Sequence, residues 1–139
     1  MNADLSVAPE IAQLAAPLAL IPAPLGHPPP APAAATTGQL ATALSRLAAT
    51  PQRWWDLVRF DPDCPARIQV PALFEAWLLV IPPGQEAKCG CQLATLLAGE
   101  ASEGTRVLRP GRVRVNGAGV HHLIRAAGHG YSVSLHAGA

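Results

Sequence analysis

From Ala66 to Ala137 the chain is a succession of short runs punctuated by turn residues. "ARIQV", "FEAWLLVI", "QLATLLAG", "TRVL", "RVRV", "VHHLI" and "YSVSLHA" alternate with Pro- or Gly-bearing stretches such as "IPPGQ", "RPGR", "NGAG" and "AGHG". Short strands separated by turn signals close up as a β-sandwich or a small barrel. "RVRVNGAG" alternates as a half-buried strand should, because successive side chains point to opposite faces. The expected fold is therefore mainly β, with one core of modest size for a chain of 139 residues.

A helical preface precedes the strands. Leu40, Leu44 and Leu47 recur at helical spacing in "TTGQLATALSRLAATP"; Thr36 or Thr37 can cap the start and Pro51 stops the run. "RWWDLVRF" predicts a second short helix with Trp54, Leu57, Val58 and Phe60 on its buried side. Trp54, Trp55 and Trp77 read as packing residues. Before Thr37 alanine and proline dominate, with eight of the fifteen prolines in residues 1–37. Residues 1–37 are expected to form an extended, disordered arm, and residues 38–139 the folded domain.

Charge excludes one class of partner. A net charge of +1 and no basic stripe interleaved with aromatics argue against nucleic acid. Pro17, Pro22 and Pro24 interrupt the apolar stretch from Ile11 to Leu25, so it predicts no membrane helix. No secretory signal is visible, which with three cysteines, an odd number, makes a reducing cytoplasm the expected compartment.

Chemistry concentrates in "GQEAKCGCQL". Cys89 and Cys91 are spaced i, i+2, so on a strand they share a face and can chelate together. Their mutual disulfide would close a cramped ring. A third donor would come from a distant strand. His121 and His122 follow the "NGAG" turn, and since adjacent residues face opposite sides at most one of them serves; His122 is expected at the surface. Two thiolates with one imidazole make a soft site suited to Zn²⁺ or Cu(I). The alternative is two small inert loop residues and no metal. Glu100 and Glu103 read as turn residues, and Arg106, Arg109, Arg112 and Arg114 as a solvated face.

The span from Arg53 to His136 resembles the type I cysteine dioxygenases of the cupin superfamily. The resemblance runs through "RWWDLVRFDPD", "AWLLVIPPGQ", "LLAGEASE" and "LRPGRVRVNGAGVHHLIRAAGHGYSVSLHA". It implies a cupin-type jelly-roll barrel holding mononuclear non-haem Fe(II), which oxidises cysteine or a related small thiol with O₂ to the sulfinic acid in cysteine catabolism. His121 matches an iron ligand, Arg67 the arginine that takes the substrate carboxylate, and Ser134 and His136 two members of a Ser-His-Tyr relay. The tyrosine is replaced by Gly138, and the family's last strand is missing, which should open one side of the barrel. Where the family carries His-X-His, Cys89 and Cys91 lie in the same loop but one residue early, with about four or five residues deleted, so neither matches the motif.

Two functions follow. One is a thiol dioxygenase with Cys89, Cys91 and His121 on its metal. The other is a degenerate cupin without iron, acting as a binding or structural module or a zinc protein. As partners a small thiol and O₂ are expected, with a monomeric or weakly dimeric chain, since an exposed barrel edge can pair with a second copy.

Overall fold

The computed structural model describes residues 34–117 and 119–138; the arm expected over 1–37 therefore lies outside it as far as residue 33. Helix α1 spans Thr37–Ala48. Thr36 is its N-cap: its hydroxyl accepts from the Gln39 N–H, and the Gln39 side chain accepts from the Thr36 N–H. This reciprocal pair satisfies two donors that a helix start otherwise leaves free. Thr36→Ala is expected to lower unfolding stability by about 1 kcal/mol, read from the urea midpoint; an unchanged midpoint would show that the cap contributes nothing.

"RWWDLVRF" does not make a second α-helix. Pro51–Arg53 and Trp55–Leu57 are two single 3₁₀ turns, too short to bury a continuous stripe. Trp54 is buried and donates its indole N–H to the Leu47 carbonyl at 3.0 Å, tying the turns to the end of α1. Trp55 and Phe60, expected in the interior, are each 52% exposed.

Among the described residues nine strands follow: β1 Ala66–Val70, β2 Ala76–Ile81, β3 Glu86–Cys89, β4 Leu93–Ala98, β5 Ala101–Glu103, β6 Arg106–Val107, β7 Arg114–Val115, β8 His122–Ala126 and β9 Ser132–Ala137. They form two antiparallel sheets, ordered β1-β2-β9-β4-β7 and β3-β8-β5-β6. Strands β2 to β9 thus pass between the two sheets in the jelly-roll arrangement that cupins share with other double-sheet barrels. The expected cupin-type jelly roll is the fold. β9 pairs with β2 on one side and β4 on the other. No described helix is long and apolar enough to cross a membrane.

Helix α1 explains why β2 and β9 are buried at every position. The outer face of the larger sheet packs Leu78, Val80, Leu93, Val133, Leu135 and Ala137 against Leu44, Leu47 and Trp54. The inner face points the intervening residues Trp77, Leu79, Ile81, Ala94 and Leu96 into the barrel with Cys89, Cys91, Ile124 and Ala126. A sheet covered on both faces reads as an unbroken apolar run, as "AWLLVI" does. Each fully buried leucine in these layers contributes on the order of 1.5–3 kcal/mol.

Candidate metal centre

β9 carries the unexpected polarity. Val133, Leu135 and Ala137 face α1, so its other residues, Ser132, Ser134 and His136, point into the barrel; all three are fully buried. In register, His136 lies between Trp77 of β2 and Ala94 of β4. The Trp77 ring stacks on the imidazole at 5.9 Å between centroids and 13° between planes.

β3 brings the thiols to the same place. Cys89 ends β3 directly opposite His122 of β8, and Cys91 follows after Gly90; both thiols are buried and free. Their sulfurs are 2.8 Å apart. His136 Nδ1 lies 3.1 Å from Cys91 Sγ and 3.3 Å from Cys89 Sγ. These three donor atoms all fall within 4.8 Å of one another. On the far side of the ring, His136 Nε2 is 2.7 Å from Ser134 Oγ, which reaches the Leu79 carbonyl at 3.4 Å. With the hydroxyl donating to that carbonyl, a neutral His136 that donates its Nε2–H to the same oxygen presents the Nδ1 lone pair to the sulfurs.

The two thiols titrate as one unit. The hydrogen bond from Cys91 pulls the Cys89 thiol well below its usual range, against the opposing effect of burial, and a charged His136 ring pulls the same way. The same bond and burial push Cys91 up. The contact between them thus favours ionisation of Cys89 over that of Cys91, and a thiolate is the form that binds a metal.

A second histidine borders the group. His122 shares the inward face of β8 with Ile124 and Ala126, and its Nε2 lies 3.5 Å from Cys91 Sγ. Asn116 Nδ2 stands 3.4 Å from that nitrogen and 3.8 Å from the same sulfur. Glu103 holds the opposite ring nitrogen, Nδ1, at 3.4 Å, and its other oxygen pairs with Arg114 at 3.3 Å. A carboxylate on one imidazole nitrogen fixes the ring and leaves the other free as a donor.

Of the residues expected at the site, Cys89, Cys91, Ser134 and His136 come together. His136, placed in a relay on the resemblance, is the imidazole that faces the thiols. His121 does not join them: it is exposed, and its ring packs outside against Gly90, where an added Cβ would meet it at 3.0 Å. His122 was expected at the surface and lies inside. Glu103 is a strand residue, not a turn residue, and with the half-buried Arg114 it supports that histidine. Arg67 lies on edge strand β1 with its guanidinium 4.0 Å over the Trp77 ring, so it reaches His136 through a stacked aromatic, not directly.

The donors fit a metal ion. A tetrahedral zinc, with bonds of about 2.0–2.3 Å, spaces its donors roughly 3.3–3.8 Å apart. The three observed separations need widen by no more than about 1 Å to meet that spacing. The donor set is soft and buried. Cys89, Cys91 and His136 can hold a metal.

No protein-family model and no curated protein matches the chain. Among solved structures it is similar to TT1209 from Thermus thermophilus, at 23% identity and a TM-score of 0.50 over 60% of this chain and 92% of that one. It is also similar to a cupin superfamily protein from Desulfitobacterium hafniense, at 17% identity and a TM-score of 0.48 over 63% and 89% of the two chains. A third similarity, 23% identical with a TM-score of 0.49 over 80% and 71%, is to the structure of Rhodobacter sphaeroides SigE in complex with the anti-sigma ChrR. At such identities the likeness concerns the fold.

Proposed function

We propose that this chain is a metal-binding jelly-roll domain, whose Cys89, Cys91 and His136 hold one soft ion, zinc, with His122 as the fourth donor. The convergence of two sulfurs and the His136 Nδ1 within 4.8 Å, among the apolar side chains of the barrel interior, carries the reading. Zinc takes Cys and His ligands in tetrahedral sites and has no redox chemistry of its own. The domain would accordingly serve as a structural or binding module, its ion tying β3 to β9 across the two sheets.

A second reading is the iron thiol dioxygenase that the sequence resemblance implies. It is favoured by the 2.7 Å contact between Ser134 and His136, the two surviving relay residues. Against it, thiolate donors suit zinc better than an oxygen-activating Fe(II), His121 lies outside the barrel, and Arg67 is engaged on Trp77. Protein purified anaerobically under reducing conditions should contain one zinc per chain and show no cysteine-dependent oxygen uptake. Iron at that stoichiometry, with uptake, would overturn the zinc reading in favour of the dioxygenase.

The fourth donor has its own test. Glu103→Gln removes the charge that orients His122, and should weaken zinc binding by about 10–100-fold, measured by competition with a chromophoric chelator. Unchanged affinity would take His122 out of the site.

A further inference from the structure

We infer that Cys89 and Cys91 form an oxidation site, at which a hydroperoxide closes a reversible Cys89–Cys91 disulfide and thereby ejects the ion. The consequence for the ion rests on the proposed metal site; the disulfide itself rests on geometry alone.

The sulfurs already face each other at 2.8 Å. A disulfide bond is about 2.05 Å long, so closing it moves them by less than about 1 Å. The linker is a single glycine, free to adopt backbone conformations that a side chain would forbid. An added Cβ there would meet the His121 ring at 3.0 Å, so a larger residue would require that ring to give by a few tenths of an ångström. The neighbours suit the oxidised form as well. Without the thiol protons, His136 keeps its bond to Ser134 and its stack on Trp77, so the surrounding wall need not rearrange. The ring spanning the two sulfurs is small, and strained disulfides are the ones that are readily re-reduced. That cramped ring therefore argues for a switch, not for a permanent crosslink.

The chemistry balances with a hydroperoxide as the oxidant. The Cys89 thiolate attacks the terminal peroxide oxygen, the O–O bond breaks, and the alcohol leaves with a proton from solvent. Cys91 then attacks the resulting sulfenic acid; the S–S bond forms, the S–O bond breaks, and water leaves. Two thiols and one hydroperoxide give one disulfide, one alcohol and one water. Starting from two metal-bound thiolates, two protons are taken from solvent and the divalent ion is set free, because a disulfide offers it no thiolate.

Cys64 is exposed, just ahead of β1 in sequence, with its thiol on Asp61. It would react with oxidant independently, so the test uses the Cys64→Ser chain. Metal-loaded and chelator-stripped samples are treated anaerobically with one equivalent of cumene hydroperoxide. Trypsin cleavage after Lys88 and Arg106 then puts both cysteines on one peptide, 89–106. The expected result is a peptide lighter by two hydrogens and closed to alkylation in both samples, zinc release in step with it, and reversal of both by dithiothreitol. Peptides that gain oxygens without a disulfide, or that still alkylate twice, would overturn the inference. A disulfide in protein that binds no zinc at all would sink the metal reading and leave the oxidation site standing; bound zinc without a disulfide would do the reverse.

Discussion

Cys91→Ser is expected to strip the chain of its zinc. Cys91 is the hub of the centre: fully buried, it lies 2.8 Å from Cys89 Sγ, 3.1 Å from His136 Nδ1 and 3.5 Å from His122 Nε2. Serine keeps the shape but offers a neutral hydroxyl in place of a thiolate. Structural zinc sites bind with about 10–16 kcal/mol shared among their ligands, so losing one thiolate costs several kcal/mol, or roughly two to three orders of magnitude in affinity. Chelator competition reads this directly, with Cys64→Ser as the variant that should bind like the parent. Equal affinity in Cys91→Ser would remove the sulfur pair from any metal site. Cys91→Ala has a further signature, since alanine cannot donate the hydrogen bond that most lowers the Cys89 pKa. In metal-free protein Cys89 should therefore lose thiolate character and alkylate more slowly at neutral pH than it does in the parent.

Trp77→Ala should bring the domain close to unfolding. Trp77 is 2% exposed and lies at the centre of the inner face, stacked on His136 below the Arg67 guanidinium. Truncating a buried tryptophan typically costs about 3–5 kcal/mol, from lost burial and from the cavity left behind. A domain of this size has only about 5–15 kcal/mol in total. Trp77→Phe keeps a ring against the imidazole and should recover much of the difference. Urea unfolding of both variants checks the pair; a loss under about 1 kcal/mol for the alanine variant would mean that the barrel interior does not depend on this ring.

The strand-rich fold was legible because its punctuation is strong. "AWLLVI" and "SVSLHA" are bounded by turn residues and emerge as β2 and β9. β3 was hidden: Glu86-Ala87-Lys88-Cys89 carries two charges and no β-branched residue, and its pairing with β8 is supplied by tertiary context. β5 is three residues, Ala-Ser-Glu, with no pattern of its own. Parity explains the site errors. In β8 the charge of Arg125 marks the odd-numbered face as outward, which places His122, with Ile124 and Ala126, inside and His121 outside; the exposed Leu123 obscured that signal. In β9 the apolar residues would normally be assigned to the barrel and the polar ones to solvent. Helix α1 reverses this by covering the apolar face, and sends Ser134 and His136 inward. That reversal depends on where a helix far earlier in the chain packs, which no local window contains. The cysteine pair was visible as a chelating spacing, whereas its imidazole partner depended on the sheet order.

X-ray absorption at the zinc edge of the full chain, as purified under reducing conditions, tests the centre most directly. The predicted result is one zinc with two sulfur scatterers at about 2.3 Å and nitrogen scatterers at about 2.0–2.1 Å. A shell of nitrogen and oxygen without sulfur, or protein that takes up no zinc, would contradict it.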